Sequence, residues 1–129
     1  MGTLTATLTL NDTTTFSDVL NFSLSRDLTT TATSQGLTTI GVTNTGANNI
    51  IQSATDGQTR YVFVKHTGTT DGSTGTTETV NVELTGDTVF GKLAAGEFCF
   101  LPVGGHSLGV QLQSSSGTVQ CEYAFFTRG

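Results

Sequence analysis

Side chains able to ligate a metal or attack a substrate are few. Cys99, Cys121, His66 and His106 are the only thiols and imidazoles in the 129-residue chain. They are spread along it with no close ligand pair of the kind a zinc site uses. Ten acidic residues and many Ser and Thr hydroxyls are present, but they form no nucleophile elbow, no HExxH, no Gly-rich phosphate loop after a strand and no Ca²⁺ loop. No catalytic residue, metal ligand or cofactor-binding residue is therefore assigned, no cofactor is expected, and the chain is read as non-enzymatic. Each of these residues has a structural reading instead. Cys99 and Cys121 lie inside strand-like runs beside aromatics and read as two buried thiols, with a disulfide between neighbouring strands as the alternative. His66 ends a strand next to a polar tip and His106 follows Gly104-Gly105, both as solvated loop-edge residues. Asp71 and Asp87 fall in turns, where Asp caps its own backbone.

The elements that hold these residues are strands. Thr makes up about a fifth of the chain, and its β-branched side chain favours pleated, half-exposed positions. Charged residues are only 12% and Pro occurs once. Thr3 to Leu10 reads TLTATLTL, with Leu4, Ala6, Leu8 and Leu10 on one face and Thr on the other. Such strict alternation marks a strand rather than disorder. Similar runs recur at Val19–Ser25, Leu37–Thr43, Arg60–His66, Thr79–Leu84, Val89–Leu93, Glu97–Val103, Leu108–Leu112 and Thr118–Thr127. Turn residues separate them at Asn11-Asp12, Asp56-Gly57, Gly86-Asp87 and Ala95-Gly96. Arg26 to Gly36 is polar and reads as a hairpin arm or a loop over the sheet, and TGTTDGSTGTTE as an exposed, mobile hairpin tip. About eight short strands with turns at regular spacing predict an all-β, antiparallel β-sandwich. It forms a single domain over residues 1–129, with 1–36 able to act as an N-terminal strand or arm that contacts neighbours.

The charge balance narrows the partners. A net charge of -5 and a pI near 4.6 repel phosphate backbones, so nucleic acid is not expected as a partner. No run approaches the roughly 18 apolar residues of a membrane span, and MGTLTATLTL has neither the cationic segment nor the apolar core of a secretion signal. Trp is absent and there are two Tyr, which counts against stacking of sugar rings.

Two stretches are apolar on both faces. Phe98 and Phe100 point one way and Cys99 and Leu101 the other; Phe125 opposes Ala124 and Phe126. A strand covered on both sides in a small two-layer domain is expected to meet another subunit. Phe98, Phe100, Leu101, Ala124 and Phe126 are thus the candidate subunit interface, with a homotrimer expected. Leu4, Leu8 and Leu10 are the candidate pairing strand, able to add to a neighbour's open sheet edge.

From Arg60 to Arg128, about half the chain, the order RYVFVKHTG, TVNVEL, KLAAGEFCFLPV and QCEYAFF resembles small virion structural proteins of tailed bacteriophages, notably those of cyanophages. The matching positions are Tyr61, Lys65, His66, Lys92, Leu93, Gly96, Glu97 and Phe98. The resemblance implies a jelly-roll-like sandwich present in many copies on the outer surface of a capsid. The protein would be made in the host cytoplasm and would act as a decoration (cement) protein that binds major capsid proteins. A tail, neck or baseplate component, or a carbohydrate-binding host-attachment module, is the alternative.

Overall fold

Thr, Val, Leu and Phe in alternation cannot build a helical apolar stripe, and the chain folds as strands. The computed structural model describes residues 1–15, 20–53, 59–86, 88–104 and 108–129, with the side chains of 32–35 left aside. It contains β1 (Gly2–Asp12), β2 (Leu20–Val42), β3 (Ile50–Gln52), β4 (Arg60–His66), β5 (Val80–Leu84), β6 (Thr88–Leu93), β7 (Phe98–Val103), β8 (Val110–Ser114) and β9 (Val119–Arg128). A short 3-10 turn, Gly46–Asn48, joins β2 to β3.

The strands form a five-stranded sheet, β1-β2-β9-β4-β7, and a four-stranded sheet, β3-β8-β5-β6. Every pairing is antiparallel. With β1 set aside, β2 pairs with β9, β3 with β8, β4 with β7 and β5 with β6. The eight strands thus make one long hairpin, turned at β5–β6 and rolled into two layers. The all-β antiparallel sandwich expected from the alternation is the fold that forms.

Between the layers lies a core of small branched side chains: Val42, Ile51, Val62, Val64, Val80, Val82, Leu93, Val103, Val110, Leu112, Val119 and Cys121. The period of two puts them there. Val62 and Val64 of β4 pair with Leu101 and Cys99 of β7 on one side and with Phe125 and Tyr123 of β9 on the other. All six therefore face the second sheet. Arg60 joins the same face as a buried side chain. Its Nη1 donates to Thr127 Oγ1 at 2.9 Å, and its guanidinium lies 5.2 Å from the Phe125 ring centroid.

Three local expectations are corrected. The stretch Arg26–Gly36 is not a loop; it lies within the continuous strand β2, and its first part, Arg26 to Thr30, pairs with β1 as the expected hairpin arm. The TGTTDGSTGTTE segment does not close a hairpin, because β4 and β5 belong to different sheets. It crosses between layers and is tied to β9: Thr67 N donates to Gln120 O at 3.2 Å and Gln120 N to Thr69 O at 2.8 Å. His66 is not a solvated edge residue but fully buried, since it continues the inward face of Val62 and Val64. Val19, Asp56-Gly57, Asp87 and His106 lie outside the described residues.

Candidate functional site

The outer face of the five-stranded sheet follows from the same register. Tyr61, Phe63 and Lys65 of β4 pair with Pro102, Phe100 and Phe98 of β7 and with Phe126, Ala124 and Glu122 of β9. These point away from the core. Tyr61 stacks on Phe100 with ring centroids 6.1 Å apart and planes at 12°. Phe63 and Phe98 stand 6.5 Å apart at 38°. The result is an aromatic shelf of diagonal ring pairs across two strands. Pro102 sits in β7, an edge strand, where a missing N–H is tolerated.

This shelf runs on into the first hairpin. Thr30 pairs with Arg128, which shares the outer face of β9 with Ala124 and Phe126. Counting back by two from Thr30 puts Leu28, Arg26, Leu24, Phe22 and Leu20 on that same face. Their partners in β1 are Leu4, Ala6, Leu8, Leu10 and Asp12. Only β2 pairs with β1, and β9 pairs with β2 no further back than Thr30. The hairpin from Gly2 to Thr30 is therefore a two-stranded arm. Its other face is polar, with Thr5 Oγ1 donating to Asp27 at 2.7 Å and hydroxyl pairs Thr7–Ser25 at 3.0 Å and Thr9–Ser23 at 3.2 Å. Between Thr31 and Thr38 the register of β2 on β9 shifts twice. Such bulges bend a strand, here at the junction of arm and sandwich.

Arm and shelf enclose an open cleft of about 790 Å³, with Leu4, Leu8, Leu24, Leu28 and Leu37 lining it opposite Tyr61, Phe63, Phe98, Phe100 and Phe126. Eight of the thirteen exposed large apolar side chains among the described residues lie on this one face: Leu8, Leu10, Leu20, Phe22, Leu24, Leu37, Phe98 and Phe100. A contiguous patch of this kind marks an interaction surface, whereas scattered single residues do not.

The structure brings Phe98, Phe100, Ala124 and Phe126 to this cleft together with Leu4 and Leu8. Leu10 lies further out on the arm and is 46% exposed. Leu101 is corrected: it points the other way and packs against the core, because it is one residue out of phase with Phe98 and Phe100. Sequence reading missed Phe22, Leu24 and Leu37 as members. Their alternation was visible, but nothing local shows that β2 is half arm and half sandwich.

The thiols and imidazole have structural surroundings. Cys99 and Cys121 are free and separated by β4. Burial raises the Cys99 thiol and pushes Cys121 up to about 12, which keeps both from the thiolate form that reacts. His66 Nε2 lies 2.8 Å from Glu78 O and its Nδ1 accepts from Gly68 N at 2.9 Å. Those two bonds fix the neutral tautomer, with the proton on Nε2. The His66 backbone also accepts from Gly96 N and donates to Glu97 O. Glu97 Oε2 in turn accepts from Ala94 N at 2.7 Å, and Gly96 takes a φ of +83°, which glycine adopts without strain. The KLAAGE segment is thus a turn locked onto the end of β4. Among the described residues no group of three or more His, Cys, Asp or Glu could hold a metal ion.

A second buried polar group lies on the outside of the four-stranded sheet. Glu83 is fully buried; its Oε1 accepts from Gln111 Nε2 at 2.6 Å, and its Oε2 has no hydrogen-bond partner among the described residues. Gly46 roofs the pair. A Cβ there would lie 2.4 Å from Glu83 Oε1 and 2.5 Å from Gln111 Nε2, so only glycine lets the 3-10 turn come this close. No protein-family model matches the chain, and no curated protein matches it.

Proposed function

We propose that this chain is a non-enzymatic structural subunit of a phage particle, a capsid decoration protein that sits on the outer surface of the head and binds major capsid proteins. The observation that carries the reading is the continuous apolar outer face of the five-stranded sheet, from Phe98 on β7 to Phe22 on the arm. A water-facing sheet normally alternates to polar residues on its outer side. Here the outer side is aromatic and aliphatic, as in a protein that spends its life covered by other proteins.

Three further points support the reading. The rolled pairing of β2 to β9 supports reading the sandwich as jelly-roll-like, an architecture used by viral capsid proteins and by lectins. The Arg60–Arg128 segment resembles virion proteins of tailed phages. The Thr-rich polar face of the arm carries little charge, so contacts made there lose little to salt. The chain is proposed to assemble as a homotrimer, with the shelf residues Phe98, Phe100, Ala124 and Phe126 between subunits.

Copy number per purified particle tests the location. Hundreds of copies support decoration of the capsid, whereas a number matching one or a few rings would overturn it in favour of a tail, neck or baseplate part. The exposed rings of Phe98 and Phe100 favour one second reading, a carbohydrate-binding host-attachment module. Glycan binding by the isolated chain, lost in Phe98→Ser, would support it.

A further inference from the structure

The arm carries a pattern beyond simple amphipathicity. On its apolar face the antiparallel register sets up successive rungs: Leu4 with Leu28, Ala6 with Arg26, Leu8 with Leu24, Leu10 with Phe22 and Asp12 with Leu20. The inner rung is half-buried. Leu8, Leu10, Leu20, Phe22 and Leu24 of the outer rungs are 39 to 56% exposed. An isolated two-stranded hairpin is marginal in water, so this exposed half calls for a cover.

The pattern is self-complementary about the Thr9–Ser23 level. A two-fold axis there lays the Leu8–Leu24 rung of one arm against the Leu10–Phe22 rung of another. It also sets Ala6 and Arg26 opposite Asp12 and Leu20. Among the described residues Arg26 is the only charged one that lines the cleft, and none of them takes a hydrogen bond or ion pair from it. Asp12 uses Oδ1 to accept from Thr14 N and Thr15 N at the tip. The Thr15 side chain first, then the Thr15 and Thr14 amides, hold its carboxyl down to about 2. Small Ala6, opposite the other arm's Asp12, leaves room for the neighbouring Arg26 to reach that carboxylate.

Size and edge chemistry point to a second copy as the occupant. The chain exposes 7361 Å², whereas a monomer of its mass exposes roughly 6,500 Å². The excess is close to the roughly 800 Å² per partner that a standard interface covers. β1 is an edge strand, and from Thr3 to Leu10 it has no charge and no proline, the devices that protect the edges of monomers.

We propose that two copies associate through their arms in a two-fold contact, the Asp12–Leu20 rung of each against the Ala6–Arg26 rung of the other, with Asp12 of one copy beside Arg26 of the other. This rests on the reading of the outer face as an assembly surface and names the partner at its arm half. The test is a charge swap followed by sedimentation at several concentrations. Arg26→Glu sets two carboxylates together in a homodimer, and Asp12→Lys sets two cations together. Each variant alone is expected to lose arm association by at least tenfold in Kd, and an equimolar mixture to recover it, because both contacts are attractive in the heterodimer. Circular dichroism confirms that each variant is folded. Folded variants that associate like the wild type, or that fail to recover on mixing, overturn the inference. A wild-type chain that stays monomeric at every concentration yet binds particles also overturns it, and leaves the assembly function standing. A chain that dimerises through its arms but never binds particles does the reverse.

Discussion

At the residue scale, the groups that first suggested chemistry turn out to hold the fold. His66 bridges the backbone of Glu78 and Gly68 from a fully buried position. Replacing it with Ala strands a carbonyl and an amide and leaves a void. His66→Ala should therefore destabilise the domain by about 2–4 kcal/mol in urea unfolding; an unchanged midpoint would mean that water replaces the ring at no cost. Gly46→Ala drives a methyl into the Glu83–Gln111 pair. The roof must lift, and a loss of about 1–3 kcal/mol is expected by the same measurement. Asp71 shows the sign of a pH effect. Ser73 and Thr74 amides donate to its Oδ1 and lower its pKa from 3.8 to about 2, Thr74 contributing most. A carboxylate whose pKa falls on folding stabilises its loop above 3.8, and that contribution disappears as pH drops through about 2. The Ser73 and Thr74 amide resonances should titrate with a midpoint near 2, and Asp71→Asn should abolish the step.

At the scale of elements, the arm is the piece whose role separates from folding. Leu4, Leu8 and Leu10 do not belong to the core, and β1 pairs with β2 alone. The Thr and Ser rungs on its polar face are exposed and bring little stability to the sandwich. Deleting residues 1–10 should thus leave the unfolding midpoint of the sandwich within about 0.5 kcal/mol of the intact chain while removing self-association and particle binding. Parallel loss of both would show that the hairpin belongs to the folding unit. β2 explains why one strand serves two purposes. Its first half completes the arm, its second half pairs with β9, and the bulges between Thr31 and Thr38 let the two halves lie at different angles.

At the scale of the whole molecule, folding draws on one face of the five-stranded sheet and the proposed assembly on the other. The inner face supplies Val62, Val64, Val119 and Cys121 to the core, and the outer face supplies the shelf. Phe98→Ser together with Phe100→Ser should weaken association measured by light scattering with little change in unfolding, since both side chains are exposed in the single chain. The sequence by itself determined the class of structure. Alternation has a period of two, a local property, and Gly-bearing turns such as Ala95-Gly96 were legible between strands, whereas Asn11-Asp12, read as a break, lies within β1. The sequence also showed that Phe98 and Phe100 share one side of their strand and Ala124 and Phe126 one side of theirs, because facing within one strand is local as well. Only the tertiary structure decided which strands meet. Pairing β2 with β9 joins the two ends of the chain, and no local pattern encodes that register. The pairing made the Leu face of the arm continuous with the Phe face of the sandwich, turned Leu101 inward, and buried His66, which the sequence had placed in water. The residues able to do chemistry were legible from the start; that His66 and Cys121 are buried inside the sandwich was decided by long-range strand pairing.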